Sequence, residues 1–258
     1  MPLLLRIDPS VVSRDNLIAG STFGKVWQGV LNGEVVAVKD INYRSEKEVE
    51  QWKREVQLLS FLQNSDYLVQ IKGYCVTPDN LTIVMEFMEG GSLYDIIHKQ
   101  HKVTWSMLHK VRVVRHIAKG IESIHKQNVI HRDIKSMNIL LDRSGVAKLA
   151  DLGCSRMVRI ETMTIGVGSP LWMAPEVSTA HYSFPSDIFS FGVVLYEVFN
   201  EKLPEFNPET RSVVLPKESI CFSLIHDCTR KKPELRPTAS KLIETLDKLL
   251  SQYTKKVA

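Results

Sequence analysis

The stretch HRDIKSMNILL, residues 131–141, decides the fold together with VAKLADLG, residues 146–153. A short turn separates the two apolar runs, which predicts a hairpin between two polar loops. Such a hairpin places Asp133 and Asn138 at the same end as Asp151. Carboxylate and amide oxygens suit Mg²⁺, an ion usually shared with substrate phosphates. We therefore expect a site where a metal-bound phosphate meets a hydroxyl nucleophile, the alternative being polar groups that only cap helix and strand ends.

The run VVAVK, residues 35–39, alternates as a half-buried strand does and directs Ala37 and Lys39 to one face. A lysine on that face can hold phosphate oxygens, but its charge is costly in a cleft without a partner. Glu55 lies in the helix predicted for residues 45–63 and is the natural counter-ion. It stands beside the apolar stripe of that helix, which consists of Val49, Trp52, Val56 and Leu59. Taken singly, each of these residues is typical of a solvated surface charge.

A second candidate for phosphate binding is AGSTFGKV, residues 19–26, where small residues let backbone amides approach phosphate oxygens closely. The segment differs from the P-loop pattern GxxxxGK[ST], because Ala19 stands at the first glycine, Val26 follows Lys25 and a strand comes next. A nucleotide triphosphatase of the P-loop type is therefore disfavoured. On its own, the segment also fits an ordinary hairpin turn.

The pattern from Asn16 to about Met88 predicts antiparallel hairpins interrupted by one helix, which a capping box at Ser45 and Glu48 opens. After this part of the chain apolar residues recur at the spacing of the buried stripe of a long helix, at Met107, Val111, Val114, Ala118 and Ile121. The sequence thus predicts a sheet-rich part with one helix, followed by a mainly helical part.

We expect an α+β fold with two lobes and a ligand cleft between them. The small antiparallel sheet lobe would be residues 16–88, and the larger helical lobe residues 89–250. Residues 1–15 are predicted to form an N-terminal extension and residues 251–258 a C-terminal tail.

Composition argues against several function classes. Lysine and arginine number 33 against 29 acidic residues, and a net charge of +4 without a basic run does not favour a nucleic-acid partner. The four cysteines form no CxxC pair, so neither a disulfide framework nor a zinc site is expected. No apolar run approaches the length of a membrane-spanning helix, so membrane insertion is not expected. These features predict a protein of a reducing compartment, cytoplasmic or nuclear.

The motifs HRDIKSMN, DLG and GSPLWMAPE, the last at residues 168–176, stand in the order found in eukaryotic protein kinases, which the chain resembles from about Asn16 to Leu250. Lys135, two residues after Asp133, and the GSPLWMAPE ending resemble serine/threonine kinases, and SDIFSFGVVLYEV resembles the tyrosine-kinase-like branch of that group. The resemblance implies a bilobal fold that uses ATP with Mg²⁺ or Mn²⁺ to phosphorylate serine and threonine hydroxyls of protein substrates.

The resemblance also implies catalytic roles for single residues. Lys39 would contact the α- and β-phosphates of ATP and pair with Glu55. Asp133 would accept the proton of the substrate hydroxyl, and Lys135 would steady the transferring phosphoryl group.

The nucleotide would be held by a loop over its phosphates, by apolar plates around the adenine and by backbone groups at the edge of the base. The residues implied at these positions are Ala19, Gly20, Ser21, Gly24, Val26, Ala37, Lys39, Met85, Glu86, Met88 and Leu140. Met85 occupies the gatekeeper position, and the backbone of Glu86 and Met88 would hydrogen-bond the base. The metal ligands, which offer oxygen donors, would be Asn138 and Asp151.

Regulation is implied by Arg132, which precedes Asp133. Kinases with this arrangement often await a phosphate in the activation loop, where Thr162 and Thr164 are available. A phosphothreonine would supply charge and acceptor oxygens for Arg132 and so order the loop. The phosphate would come from an upstream kinase or from a second copy of the chain, and the sequence leaves the oligomeric state open.

Three departures from the family pattern keep another function open. Ala19 and Ser21 stand where GxGxxG has glycine, Leu152 replaces the phenylalanine of DFG, and residues 200–220 are short strand-like or irregular instead of helical. The alternative is a pseudokinase that signals by contact with little or no catalysis. A small-molecule phosphotransferase is disfavoured, because it would not need GSPLWMAPE, which belongs to a platform for protein substrates.

Overall fold

The computed structural model describes residues 5–21, 24–43, 45–62, 65–77, 80–99, 105–152, 155–157, 171–179, 182–207 and 213–255. The chain divides into two compact units, Met1–Glu89 and Gly90–Ala258. This division lies next to the predicted lobe boundary at residue 88. The predicted limits of the N-terminal extension and of the C-terminal tail stay predictions.

The first unit contains a five-stranded antiparallel sheet and a helix. The strands are β1 (Asn16–Ser21), β2 (Gly24–Leu31), β3 (Glu34–Ile41), β4 (Ile71–Val76) and β5 (Leu81–Glu86), and the helix is α1 (Glu46–Phe61). Their order across the sheet is β1-β2-β3-β5-β4, so β1 and β4 are its edge strands. The predicted antiparallel hairpins, interrupted by one helix, are confirmed.

The β2–β3 hairpin follows from the dipeptide Asn32-Gly33. Both residues have positive φ angles, 50° and 84°, which a two-residue type I′ turn requires and which Asn and Gly tolerate best. The turn fixes a register in which Val26 of β2 lies opposite Lys39 of β3.

This register gives the sheet two different faces. Val36 and Val38 of β3 and Val84 of β5 are fully buried on one of them. Ala37 and Lys39 alternate with the valines along β3 and lie on the other face, as predicted.

Helix α1 begins after the N-cap residue Ser45, whose Oγ accepts a hydrogen bond of 3.4 Å from the N–H of Glu48. The helix buries Trp52, Val56 and Leu59, which belong to the predicted apolar stripe, and it packs against β4 and β5. The start and the buried face of α1 are therefore as predicted.

The residues before β1 also pack on the first unit. Ile7 and Val12 are buried in the core of the sheet. The sequence gives no sign of this, because the two side chains follow neither a helical nor a strand period.

The second unit is mainly helical, and its strands are short. Its helices are α2 (Leu93–His98), α3 (Met107–Lys126), α4 (Phe184–Asn200), α5 (Phe222–Cys228) and α6 (Ala239–Lys255). Its strands are β6 (Gly91–Ser92), β7 (Val129–Ile130), β8 (Ile139–Leu141), β9 (Ala147–Leu149), β10 (Arg156–Met157), β11 (Glu205–Phe206) and β12 (Val213–Val214). The predicted hairpin is β8–β9, and β6 adds a third strand beside β8.

Two central helices carry the core of the second unit. In α3 the predicted stripe residues Val111, Val114, Ala118 and Ile121 are fully buried, and this helix packs against α6 and β9. Helix α4 is buried on almost every side, as expected for a helix that is apolar all round.

Two further predictions concern the second unit and the chain as a whole. The stretch predicted to be strand-like contains β11 and β12, which pair as antiparallel strands. Among the described residues, no helix combines the length and the apolar character needed to cross a bilayer.

Candidate active site

In the first unit, strand β3 and helix α1 bring Lys39 and Glu55 together. Nζ of Lys39 lies 2.8 Å from Oε1 of Glu55. The side chain of Glu55 is 7% exposed and that of Lys39 is 22% exposed, so water screens the pair weakly. The counter-ion predicted for Lys39 is therefore the one that the structure pairs with it.

Three of the predicted adenine-contacting side chains share the Lys39 face of the sheet. Val26 lies opposite Lys39, and Met85 of β5 lies opposite Ala37 of β3. Because directly opposed residues of antiparallel strands point to the same side, these residues form one surface with Lys39.

The end of β5 has one backbone group already in use. The N–H of Glu86 donates to the carbonyl oxygen of Gln70 over 2.9 Å, and the side chain of Met88 is buried. The N–H of Glu86 is therefore already engaged within the first unit.

The predicted phosphate-covering loop lies at the β1–β2 turn. Ala19 and Gly20 belong to β1 and are exposed, whereas Ser21 ends the strand opposite Gly24. A Cβ atom at Gly24 would lie 2.2 Å from the carbonyl oxygen of Asp40. Glycine at position 24 is therefore needed for the close approach of β2 and β3, whatever its part in phosphate binding.

In the second unit, the carboxylate of Asp133 has two unlike oxygens. Oδ2 accepts hydrogen bonds from Nζ of Lys135 (2.7 Å) and from Nδ2 of Asn138 (3.0 Å). Oδ1 is buried and has no hydrogen-bond partner among the described residues. One oxygen is held in place, and the other is left as an acceptor.

The β8–β9 hairpin brings Asn138 next to the residue before Asp151. Ile139 lies opposite Leu149, and the N–H of Ala150 donates to the carbonyl oxygen of Asn138 over 2.9 Å. Asp151 itself is exposed and has a φ of 61°. This conformation is uncommon for a residue other than glycine and often marks a functional position.

Asp187 of α4 holds the loop that carries Asp133. Its carboxylate accepts hydrogen bonds of 2.9 Å from the backbone N–H groups of His131 and Arg132, and a ring nitrogen of His125 lies 2.9 Å from it. Arg132 has a φ of 73°, and the hydrogen bonds from its own N–H and from that of His131 support this strained conformation. Asp187 therefore holds the backbone of this loop in place.

The guanidinium of Arg132, predicted to receive a phosphate, lies over the ring of Tyr182 at 4.2 Å. Its predicted partners Thr162 and Thr164 lie outside the described residues. Leu140, predicted to contact the adenine, is half-buried in β8 between two buried neighbours.

Glu197 is a site residue that the sequence reasoning missed. It is fully buried in α4 and accepts hydrogen bonds of 2.6 Å from Oγ of Ser136 and from Nε1 of Trp172. Nε2 of His98 lies 3.0 Å from the same carboxylate. Glu197 therefore joins the Asp133 loop to the segment at residues 171–179. A charged residue inside the apolar run VVLYEVF was the available signal.

The segment at residues 171–179 has a second anchor at Glu176. Arg236 donates from Nη1 and Nη2 to the two carboxylate oxygens of Glu176 over 2.6 Å and 2.8 Å. Such a two-point contact fixes the planes of both groups.

The family follows from comparison with known sequences. A family model described as "Protein kinase domain" matches residues 14–252. The chain belongs to the protein kinase family. A protein kinase domain uses ATP and a divalent metal ion, usually Mg²⁺, and the oxygen donors of Asn138 and Asp151 suit such an ion.

Curated relatives agree with this assignment. The kinase domain is 31% identical to serine/threonine-protein kinase STY17 of Arabidopsis thaliana over 264 residues, which cover 95% of this chain and 46% of that protein. It is 30% identical to serine/threonine-protein kinase TNNI3K of Homo sapiens over 274 residues, or 95% and 33% of the two chains. It is also 30% identical to probable serine/threonine-protein kinase drkA of Dictyostelium discoideum over 251 residues, or 90% and 39%.

The kinase chain spans less than half the length of these relatives. STY17 and TNNI3K belong to the tyrosine-kinase-like branch, in agreement with the resemblance drawn from the sequence motifs.

Proposed function

We propose that this kinase transfers the γ-phosphate of ATP to serine and threonine hydroxyls of protein substrates. The observation that carries the proposal is the Asp133 carboxylate, whose buried Oδ1 has no partner among the described residues. A buried acceptor without a donor costs about 1–3 kcal/mol, and a substrate hydroxyl at this oxygen would remove that cost. The similarity to relatives named serine/threonine-protein kinases supports the same function.

In this mechanism, the substrate hydroxyl donates a hydrogen bond to Oδ1 of Asp133, so a lone pair of its oxygen points at the γ-phosphorus. The new O–P bond forms as the bond to the ADP oxygen breaks, and ADP leaves with that electron pair. The hydroxyl proton passes to Oδ1. Lys135, held 2.7 Å from the other carboxylate oxygen, places a positive charge beside the transferring phosphoryl group.

The remaining polar residues position ATP and its metal ion. Lys39, held by Glu55, would contact the α- and β-phosphates. Asn138 would ligate the ion through its amide oxygen, because its amide nitrogen already donates to Asp133. Asp151 would contribute a carboxylate, and Mn²⁺ suits the same oxygen set as Mg²⁺. When bound, the ion neutralises charge on the transferred and leaving oxygens.

The pseudokinase alternative draws on Ala19 and Ser21, which stand at two glycine positions of the phosphate-covering loop. Lys39, Glu55 and Asp133 argue against it, because a scaffold has no need of this set. The relatives' names favour catalysis as well.

Phosphate transfer from γ-labelled Mg-ATP to a generic protein substrate tests the proposal. Acid hydrolysis of the product then identifies the labelled amino acid. We expect label on serine and threonine, and none on choline or simple sugars offered in place of the protein. Label on the small molecules alone would indicate a small-molecule phosphotransferase. A wild type that labels neither, with Mg-ATP still binding, would support the pseudokinase.

The proposal also covers how the kinase is activated and where in the cell it acts. An upstream kinase or a second copy of the chain would phosphorylate Thr162 or Thr164, and Arg132 would receive the phosphate. A cytoplasmic or nuclear location is proposed from the unpaired state of Cys75, Cys221 and Cys228.

A further inference from the structure

Residues 5–15, here called the strap, connect the two edges of the sheet in the first unit. At one end, the N–H of Ile7 donates to the carbonyl oxygen of Tyr74 in edge strand β4 over 2.8 Å. At the other end, the N–H of Ser13 donates to the carbonyl oxygen of Val30 in β2 over 3.0 Å, on the side of β2 that pairs with edge strand β1. The strap thus hydrogen-bonds at both edges of the sheet.

Between its ends, the strap packs on the face of the sheet opposite Lys39. Ile7 is 5% exposed and Val12 is 6% exposed. The buried sheet residues in the same core are Val36, Val38, Cys75 and Val84. The strap therefore closes this core instead of lying on the surface.

Two glycines of the sheet make room for the strap backbone. A Cβ atom at Gly29 would lie 2.0 Å from the carbonyl oxygen of Ser13. A Cβ atom at Gly73 would lie 2.4 Å from the carbonyl oxygen of Leu5. Any larger residue at these positions would push the strap away. The sheet surface at Gly29 and Gly73 therefore allows the strap backbone to approach closely.

Arg14 fastens the strap to the middle of the sheet. Its Nε and Nη2 donate to the two carboxylate oxygens of Asp40 in β3 over 2.6 Å and 2.8 Å. Oγ1 of Thr82 in β5 donates to the same carboxylate over 2.6 Å. The side chain of Asp40 is only 11% exposed, so this two-point contact is partly shielded from water.

Asp40 directly follows Lys39 in β3, and successive side chains of a strand point to opposite faces. Arg14 therefore holds β3 from one face at the position where Lys39 reaches Glu55 on the other, over 2.8 Å. Removing the guanidinium would leave the Asp40 carboxylate with the Thr82 hydroxyl but without its cation. A buried carboxylate in that state moves toward water or takes up a proton, and either change disturbs β3.

We propose that Arg14 is a positioning residue for nucleotide binding, which acts by fixing the part of β3 from which Lys39 reaches the phosphates of ATP. The inference rests on the proposed function, in which Lys39 contacts those phosphates. Arg14 does not itself touch the nucleotide. Its effect therefore appears in the affinity for ATP and not in the affinity for the protein substrate.

The test compares wild type with Arg14→Ala and Arg14→Lys at a temperature where each protein is folded. Arg14→Ala is expected to raise KM for ATP by about tenfold or more and to leave KM for a peptide substrate within about twofold. Arg14→Lys keeps the charge but loses the two-point contact. Its KM for ATP is expected to lie between the values of wild type and Arg14→Ala.

Lys72→Ala is the matched control. It removes another ion pair to strand β3, between Nζ of Lys72 and Oε1 of Glu34 at 2.7 Å. Both side chains are substantially exposed, so the pair contributes little and lies away from Lys39. We expect wild-type KM values from this variant.

Two results would overturn the inference. The first is an Arg14→Ala protein that melts earlier but keeps the wild-type KM for ATP, which would make the contact structural only. If Arg14→Ala does not fold, Arg14→Lys takes its place in the test. A wild-type KM for ATP in Arg14→Lys would then overturn the inference. If the wild type transfers no phosphate, the proposed function fails, and calorimetric binding of Mg-ATP replaces KM. Mg-ATP binding weakened about tenfold in Arg14→Ala relative to wild type would still support the inference. Equal binding of Mg-ATP by the two proteins, or binding by neither, would overturn it and is the second such result.

Discussion

The ammonium nitrogen of Lys39 lies 2.8 Å from Oε1 of Glu55, and this ion pair joins strand β3 to helix α1. The alternation of β3 sends Lys39 away from the buried valines, while the N-cap at Ser45 sets where α1 begins. Local chain geometry therefore aims both charges at one point. Because the ion pair needs a charge from each element, the loss of either charge releases the other side chain from its position.

Glu55→Gln is expected to lower kcat/KM for ATP by about tenfold to a hundredfold, because glutamine keeps an acceptor but not the charge that holds Lys39. Steady-state kinetics with varied ATP measures this. Glu50→Gln is the matched control on the same helix, since Glu50 pairs with Lys53 at an exposed position. Equal losses in the two variants would contradict a specific role for Glu55.

Glu197→Gln is expected to lower the free energy of unfolding by about 2–4 kcal/mol. The carboxylate accepts from Ser136 and Trp172 and is fully buried. A glutamine would turn an N–H₂ group toward one of these donors. Ser136→Ala removes only one of the hydrogen bonds and is expected to cost about 1 kcal/mol. Urea unfolding measures both values, and the larger loss from Ser136→Ala would refute this ranking.

His116 makes stability depend on pH. Burial lowers the pKa of this imidazole from 6.5 to about 4, and the charges of Arg115 and Lys119 act in the same direction. As the pH falls below 6.5, the unfolded chain binds the proton before the folded one does, so stability is lost progressively down to about pH 4. Above pH 6.5 the group contributes no pH dependence.

When the pH is lowered from about 7 to about 5, the melting temperature of His116→Gln is therefore expected to decrease less than that of wild type. Thermal melting at several pH values checks this. His226→Gln, which removes an imidazole at an exposed position, is the control. Parallel curves for wild type and His116→Gln would show that His116 titrates normally.

Thr162→Ala combined with Thr164→Ala is expected to lower kcat by about tenfold or more, because Arg132 would lose its phosphate partner. Activity is measured after incubation with ATP, and mass spectrometry shows whether the wild type carries the phosphate. Thr254→Ala, at an exposed position of α6, is the control. Full activity of the double variant would remove the proposed regulation.

Features set by neighbouring residues could be predicted from the sequence. The β8–β9 hairpin, the capped start of α1 and the pairing of Lys39 with Glu55 all follow from alternation, turn chemistry and helical spacing. Each depends on patterns that a short window of the chain contains.

Contacts between distant segments could not be predicted in this way. Arg14 meets Asp40, and Ser136 meets Glu197, across many residues that carry no common period. The sequence carried a partial signal for both contacts. Asp40 stands at the next alternate position after the buried valines of β3, and Glu197 interrupts an apolar helix. The charges of Asp40 and Glu197 at buried positions show that each has a partner, but the sequence does not say which residue that partner is.

Asp133 is proposed to accept the proton of the substrate hydroxyl, and single-turnover phosphate transfer by Asp133→Asn measures this role. An asparagine keeps the size of the side chain but cannot take the proton. We expect transfer to fall by about a hundredfold or more, while calorimetric binding of Mg-ATP stays within about twofold of wild type. Glu244→Gln, which alters an exposed pair on α6, should transfer phosphate at the wild-type rate. Equal rates for wild type and Asp133→Asn would contradict the account.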